Sequence, residues 1–435
     1  MTVVAKPKKR REVATRIALR YYLFLFMFVA ALGWGLEWAG HRGWDVSINQ
    51  SAFFHPTEDW VDHFAYGDLT DLAARTAHLS GPGLRKPGDV PFPYMPACAL
   101  IVYALNHVTG HAAAVYLGLF AVAVLVALVL VIRRMGGRHM LAWPVLVLTA
   151  LFGSAQIFCA NRANVELFSC SLTAGGLALF LAGSPWAAAV MLGLAMSVKP
   201  FPALLLLLFL WRKQWAQAVA AVAVCGVVTV AALFVVGPTV PVAWHAITAC
   251  WGDYFQQQVL VLNIMQELKT DHSLMDAVKL VIWQVSPGID LQDEKLTAAY
   301  HGLSLWYRLD LWARFFQLVS VVAAGWVAVK FAKRPVMNQV FALVLLMLLL
   351  PYISSEYTLM ILYLPCSVLL LWMSRDAWVA TERQMVFAAV AFALLFAPLN
   401  VLGVFAGFVK CSLLLAVLCF VARLDLFSSL DRQVD

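Results

Sequence analysis

Apolar runs of about twenty residues recur along this chain, and they constrain its fold more than any other feature. A helix needs roughly 20 apolar residues to cross a bilayer, and several runs, among them residues 216–236 and 311–329, reach or approach that length. Charged residues make up only 13% of the sequence, against about a quarter in soluble domains. The sequence therefore predicts an all-α polytopic membrane protein in which residues 1–435 form a single integral membrane domain.

Basic residues lie in short segments between the apolar runs and indicate how the chain crosses the membrane. Residues 1–20 are rich in Lys and Arg and precede the first span, residues 21–38. The positive-inside rule makes them a cytoplasmic basic tail. The path that follows has about 10–12 membrane segments, with both termini inside. Its two large outer loops are residues 41–96 and 238–309.

The first outer loop contains a candidate catalytic group. Asp62 and Tyr66 are four residues apart, so on a helix they share one face. A carboxylate at the membrane boundary can act as general base toward a hydroxyl nucleophile. The loop closes with a stiff proline-rich segment that contains Tyr94. Three other aspartates of the loop are alternatives to Asp62: Asp45, Asp59 and Asp68.

Lys199 lies where an apolar hairpin is interrupted. Residues 186–198 and 201–211 are each shorter than a span, and Lys199-Pro200 separates them, which predicts a broken hairpin. A lysine in such a place costs roughly 2.5–3.5 kcal/mol unless it is paired or hydrated. It either extends to the interface or neutralises the phosphate of a lipid ligand. Lys410, within a later apolar run, raises the same question more weakly.

Other polar candidates lie at the outer ends of spans or in the second outer loop. Arg162, Asn164 and Glu166 share a very short turn, where they either face water or hold a polar headgroup. His272 is a possible base, although an isolated histidine in a loop is usually solvated. Glu356 follows two serines at the outer end of a span. Most other acidic residues of the outer loops are expected to be solvated.

Several classes of protein find little support in the sequence. The net charge of +7 comes from the basic segments between spans, so it is a topology signal and predicts no nucleic-acid partner. The eight cysteines show no CxxC spacing and are expected to be small buried side chains. Neither an HExxH motif, nor a nucleophile elbow, nor a phosphate-binding loop is present. The metalloprotease, serine hydrolase and ATPase classes therefore find little support.

Five short motifs, in order along the chain, resemble those of glycosyltransferase family 87. They are Asp62-x-x-x-Tyr66 with Pro91-Phe92-Pro93-Tyr94-Met95-Pro96, Arg162-Ala163-Asn164-Val165-Glu166, Ser197-Val198-Lys199-Pro200-Phe201-Pro202, Asp271-His272-Ser273-Leu274, and Ser354-Ser355-Glu356 with Pro365. The resemblance runs from Trp60 to Pro365. This sequence departs from the family pattern at His63, at Asp271-His272 and at Tyr357-Thr358, and these departures bear on the choice of acceptor.

The resemblance implies a GT-C-type fold with two large outer loops and an inverting transfer of a hexose, in many members mannose. The donor would be a polyprenyl-phosphate-linked sugar and the acceptor a glycolipid or glycan, at the periplasmic face of a bacterial inner membrane among membrane lipids. Asp62 would be the general base, while Arg162 and Lys199 would bind the donor phosphate. The other matching positions would bind substrate: Tyr66, Tyr94, Asn164, Glu166, His272 and Glu356. Such donors need no nucleotide and usually no metal.

Two other functions fit the same composition. A transporter or flippase of a lipid-linked sugar would use the same cations to bind phosphate but would need no base at Asp62. A non-catalytic membrane scaffold is the other alternative. A transporter predicts a site at the middle of the membrane, whereas a glycosyltransferase predicts one at the outer boundary, and the acidic, asymmetric outer loops favour the enzyme.

Overall fold

The computed structural model describes residues 6–41, 95–98, 100–101, 119, 142–162, 164–236, 239–255, 271–284, 309–372 and 381–426. Within these ranges the chain is all-α, as predicted, and the only β pairing is an isolated antiparallel bridge between Asp271 and Ser355. The helices are α1 (Lys6–His41), α2 (Ala142–Phe152), α3 (Ser154–Arg162), α4 (Glu166–Leu181), α5 (Pro185–Val198), α6 (Leu206–Trp211), α7 (Trp215–Val236), α8 (Val240–Tyr254), α9 (Leu274–Gln284), α10 (Leu309–Phe331), α11 (Val336–Leu349), α12 (Tyr363–Trp372), α13 (Glu382–Phe396) and α14 (Ala406–Arg423). Three 3-10 helices interrupt them: Phe201–Leu205, Glu356–Leu362 and Asn400–Phe405.

Four helices of the described chain are long and apolar enough to cross a membrane unbroken. Their candidate spans are Thr15–Leu36, Trp215–Phe234, Leu311–Phe331 and Ala406–Arg423. The other apolar helices are shorter, at 10–17 residues, and several continue into a 3-10 helix. The chain is thus a multi-pass membrane protein in which broken segments alternate with unbroken ones.

Helix boundaries follow from local backbone chemistry. Pro200 and Pro351 lack an N–H and disfavour helix in the residue before them, and α5 and α11 end just ahead of them. At the end of α4, Gly183 takes a φ of 76°, a left-handed conformation that favours glycine. Gly403, with a φ of 53°, kinks the last 3-10 helix in the same way.

The sequence predictions for loops need correction in three places. The predicted turn around Arg162 is shorter than expected, because α3 continues to Arg162 and α4 begins at Glu166. The second outer loop contains α8 and α9, and its Asp271 and Asp276 are buried instead of solvated. These carboxylates are close to other polar groups that lie far away in the sequence, which periodicity does not reveal.

The cysteines are mostly the small buried side chains that the sequence predicts. Among the described residues they are free thiols, and five of them are buried: Cys98, Cys159, Cys170, Cys366 and Cys411. Cys419 is exposed and Cys225 is half-buried, so the prediction is wrong for Cys419. It lies on α14, a candidate membrane span of which only part is buried inside the bundle.

Helix α11 is the centre of the bundle. Every residue from Val336 to Leu349 is buried, as expected for a helix that is hydrophobic all round. It packs against α10, α12, α14 and two of the 3-10 helices. The main hydrophobic core therefore surrounds α11, and the polar segment that follows it lies deep in the protein.

Turns from distant parts of the chain meet at one end of the bundle, which we call the basic end. Trp211 Nε1 donates to the Ala328 carbonyl at 2.9 Å, and Arg212 Nη1 donates to Gln339 Oε1 at 2.7 Å. Arg334 Nη1 lies 2.5 Å from Asp425 Oδ1. These contacts bring together turns that the charge pattern assigns to one side of the membrane.

Helices α1 and α13 pack side by side and run in the same direction. Thr15 Oγ1, in the third turn of α1, lies 3.9 Å from Met385 Sδ near the start of α13. Gly33, near the other end of α1, lies directly against Pro398. The first turn of α13 therefore lies beside the part of α1 around Thr15.

We predict opposite effects for two Gly→Ala substitutions on neighbouring helices. A Cβ on Gly193 of α5 would lie 2.5 Å from the Ala221 carbonyl oxygen of α7, whereas a Cβ on Gly226 of α7 would meet nothing within 4 Å. Gly193→Ala should lower the unfolding free energy by about 1–3 kcal/mol because α5 must move away from α7. Gly226→Ala should raise it by up to about 1 kcal/mol through helix propensity.

Thermal unfolding of both variants in the same detergent checks this prediction. Equal stability changes at the two positions would show that α5 and α7 are not in close backbone contact at Gly193.

Candidate active site

Five consecutive residues, Ser354 to Thr358, join the candidate polar groups of the protein; we call them the 354–358 segment. The segment follows α11 and includes the first three residues of the buried 3-10 helix Glu356–Leu362. A 3-10 run of this length is uncommon, because its hydrogen bonds are poorer than those of an α-helix. Irregular backbone inside an apolar bundle must find partners for its N–H and C=O groups. Here the partners come from segments that lie far apart in the sequence.

The second outer loop supplies the first set of partners. Asp271 Oδ1 accepts the backbone N–H of Ser273 at 2.9 Å and that of Ser354 at 2.8 Å. The backbone N–H of His272 donates to the Ser354 carbonyl at 3.0 Å. Burial raises the pKa of the Asp271 carboxyl, while the two N–H groups and the charge of Lys279 act against this rise. The loop is thus fixed to the 354–358 segment by its backbone.

His272 is buried, so the expectation that a loop histidine is solvated is wrong at this position. Its Nε2 lies 3.1 Å from Ser354 Oγ and 3.3 Å from Thr358 Oγ1. The two hydroxyl oxygens are themselves 3.0 Å apart. This ring therefore belongs to a buried hydrogen-bond network, in which it can accept or donate a proton according to its tautomer.

Half-buried Lys199 and buried Glu166 form an ion pair beside Tyr357. The Lys199 ammonium lies 5.3 Å from the centroid of the Tyr357 ring, a distance typical of a cation–π contact. The ring of Phe158 stacks on the Tyr357 ring, with 5.8 Å between the two centroids. Lys199 is thus held by a carboxylate and an aromatic ring at the point where the hairpin breaks.

Asn164 sets the position of Glu166. Its Oδ1 accepts the backbone N–H of Glu166 at 2.8 Å, at the first residue of α4. A carboxylate in the first turn of a helix is favoured by the helix dipole. The short turn therefore directs Glu166 inward, whereas the sequence left open whether it faces water.

Glu356 and Lys410 of α14 form a second ion pair, in which both side chains are buried. Ser154 Oγ donates to the same Glu356 oxygen, and Lys410 Nζ lies 3.3 Å from Ser154 Oγ. The sequence indicates Lys410 only weakly and does not indicate Ser154. The positions of the charges within apolar runs do indicate the pair. A lysine within an apolar run needs a buried carboxylate. Glu356 is the acidic residue of the apolar stretch from Val336 to Leu369.

The structure brings together the predicted substrate-binding residues that it describes. Asn164, Glu166, Lys199, His272 and Glu356 all lie in the 354–358 segment or in its surrounding groups. Asp62, Tyr66 and Tyr94 lie outside the described residues, as does the side chain of Arg162. Within the described ranges no group of three His, Cys, Asp or Glu residues is arranged to hold a metal ion.

A family model described as Glycosyltransferase family 87 matches residues 92–355, more than half of the chain. The chain belongs to glycosyltransferase family 87. It is therefore a membrane enzyme that transfers a sugar from a donor to an acceptor, and the transporter and scaffold alternatives lose their support. A search of the curated proteins found no match.

The family match includes α3, α4 and α5, and it ends just before Glu356. Lys410 lies well beyond it. In this family 87 enzyme a residue from outside the matched region thus neutralises the carboxylate that follows the match directly.

We predict that Lys410 and Glu356 depend on each other for stability. Lys410→Met should lower the unfolding free energy by about 3–5 kcal/mol, because it leaves a buried carboxylate without its cation. The double variant Lys410→Met/Glu356→Gln should recover most of this loss, because burial of a neutral amide costs less free energy than burial of an unpaired carboxylate.

Asp425→Asn is the matched control, since it breaks the Arg334–Asp425 pair, whose aspartate side chain is 61% exposed. It should change the stability by less than about 1 kcal/mol. Thermal unfolding in detergent measures all three variants. A double variant as unstable as Lys410→Met would contradict a direct pairing.

Proposed function

We propose that this family 87 enzyme transfers a hexose, with mannose the leading candidate, from a polyprenyl-phosphate-linked donor to a lipid-linked or glycan acceptor. The reaction would take place at the periplasmic face of a bacterial inner membrane. The observation that supports this most is the convergence of Glu166, Lys199, His272 and Glu356 on the 354–358 segment. A polar site assembled at the ends of broken apolar helices suits a substrate with a phosphate head and a long apolar chain.

Asp62 is proposed as the general base. Its carboxylate would take the proton of the acceptor hydroxyl as the hydroxyl oxygen bonds to the anomeric carbon. The bond from that carbon to the phosphate oxygen breaks in the same step, and the electron pair leaves with the polyprenyl phosphate. Displacement from the opposite side inverts the anomeric centre.

Lys199 is proposed to stabilise the departing phosphate, together with Arg162. The Lys199 side chain keeps 12% of its surface exposed, whereas its partner Glu166 keeps 4%. The lysine side chain is therefore the more accessible member of the pair. The negative charge of Glu166 and the face of the Tyr357 ring orient it, so that little reorganisation is needed when a phosphate binds.

The charge pattern supports the proposed placement in the membrane. The basic end joins the turns after α4, α6 and α10, which positive-inside bias assigns to the cytoplasm. The carbonyl of Phe396, at the C-terminal end of α13, accepts from Ser154 of the candidate site at 3.2 Å. If α13 starts on the side of the basic tail of α1 and crosses the membrane, its far end would lie on the opposite side.

Replacement of the proposed base should slow transfer without removing donor binding. Asp62→Asn keeps the size of the side chain but removes its basicity, so we expect a loss of about 10²–10⁴-fold in turnover. Release of polyprenyl phosphate from a polyprenyl-phosphate-mannose donor in the presence of acceptor, with purified enzyme, measures the rate.

Asp59→Asn and Asp68→Asn are the matched controls and should be milder, because neither has the spacing of four residues to Tyr66. Near-parental turnover in Asp62→Asn, or a greater loss in either control, would place the base on another carboxylate.

The role of Lys199 can be separated from its ion pair. Lys199→Met should destabilise the fold by leaving Glu166 unpaired and should also weaken donor binding. The double variant Lys199→Met/Glu166→Gln removes both charges, so it should recover stability while its donor affinity stays about 10-fold or more below that of the parent.

Donor binding is measured by equilibrium titration, alongside thermal unfolding of each variant. Recovery of donor affinity together with stability in the double variant would mean that Lys199 stabilises the fold but does not contact the donor. Parental donor affinity in the single variant would have the same meaning.

A further inference from the structure

A groove of about 1280 Å³ runs between the N-terminal parts of α1 and α13. It is larger than the roughly 300–1,000 Å³ of most small-molecule sites. Arg20 of α1 and Arg383 of α13 line it together with the aromatic rings of Tyr21, Phe24 and Phe387. These five side chains are all exposed. The groove thus combines two cations with a large apolar surface.

Cations and aromatic rings follow one another along both helices. On α1, exposed residues at intervals of four run from Arg16 and Arg20 to Phe24 and Phe28, whose rings stack at 6.2 Å. On α13, Phe387 follows Arg383 at the same interval. Residues four apart share a helix face, and α1 and α13 run in the same direction. The arginines therefore lie at one end of the groove and the rings farther into the membrane.

The described chain supplies no carboxylate partner for either arginine of the groove. Arg20 lies within the candidate span Thr15–Leu36, where an exposed guanidinium faces the headgroup region or the hydrocarbon. Among the described residues, no carboxylate forms an ion pair with Arg20 or Arg383. A phosphate group is a strong partner for a guanidinium, because it can accept two parallel hydrogen bonds.

Glu382 narrows the choice of anion. It lines the groove beside Arg383, so the three charged side chains carry a net charge of about +1 at neutral pH. The N-terminus of α13, where Thr381 and Gln384 form a capping box, adds a partial positive charge. A singly charged phosphodiester matches this balance better than a doubly charged free phosphate, which the Glu382 carboxylate would repel.

The groove lies far from the candidate active site. Thirteen residues separate Arg383 from Phe396, roughly 20 Å along α13, and Phe396 is the residue that contacts Ser154. The ligand of the groove is therefore distinct from a donor bound around the 354–358 segment.

We propose that the groove binds a phospholipid of the leaflet next to the basic end. The phosphodiester of the lipid lies between Arg20 and Arg383, and its acyl chains lie along Tyr21, Phe24 and Phe387. The lipid links the first turns of α13 to the part of α1 around Arg20. This inference concerns a site other than the proposed active site and does not depend on the sugar that the enzyme transfers.

Native mass spectrometry of the purified full chain in detergent, titrated with phosphatidylglycerol, tests the proposal. The variant Arg20→Gln/Arg383→Gln should bind phosphatidylglycerol about 10-fold or more weakly, because two charge-assisted hydrogen bonds are lost. The control Lys330→Gln/Lys333→Gln removes two exposed positive charges at the basic end, outside the groove. It should bind within about twofold of the parent.

Further ligands and one more variant complete the test. Diacylglycerol, which lacks the phosphate, should not be retained, and inorganic phosphate should not displace the lipid. Phe24→Ala/Phe387→Ala should also weaken lipid binding. This variant keeps both arginines, so it tests the groove even if replacement of the arginines prevents folding. The proposal would be overturned if the arginine variant bound phosphatidylglycerol as tightly as the parent, or if the lysine control lost as much affinity as the arginine variant. Retention of diacylglycerol, or displacement of the lipid by inorganic phosphate, would also overturn it. A parallel loss of affinity for the polyprenyl-phosphate donor would assign the groove to the donor instead.

Discussion

A charge or an unbonded peptide group inside an apolar bundle is stable only where another part of the chain compensates it. The 354–358 segment is the place where this requirement is met most densely. Its backbone pairs with Asp271 and His272, Glu356 pairs with Lys410, and Tyr357 contacts Lys199. These partners come from three different regions of the chain, so the segment fixes the positions of several helices at once.

The same compensation restricts the motion of the side chains in the candidate site. A lysine held by Glu166 and Tyr357, and a histidine held by two hydroxyl groups, have little freedom to change rotamer. Preorganised groups of this kind act on a transition state without a further loss of entropy or a large reorganisation. The buried position of α11, which leads directly into the segment, keeps this arrangement away from bulk solvent.

Local features of this structure could be predicted from the sequence, whereas pairings could not. The break at Lys199-Pro200 and the all-α membrane class follow from proline chemistry and apolar run lengths, and both are present. The pairing of Glu166 with Lys199, and that of Glu356 with Lys410, join residues on different helices. The burial of His272 likewise depends on Ser354 and Thr358, more than eighty residues away. Helical periodicity gives the face of a residue but not the helix that it meets.

The parallel packing of α1 and α13 has a consequence for how the protein is made. Helix α1 ends at His41, and α13 begins at Glu382. A ribosome that adds about 5–20 residues per second needs roughly 17 to 70 s between the two. During that interval the first helix is already in the bilayer, and lipid covers the face on which α13 will later pack. Completion of the bundle therefore requires the last helices to displace lipid from the first.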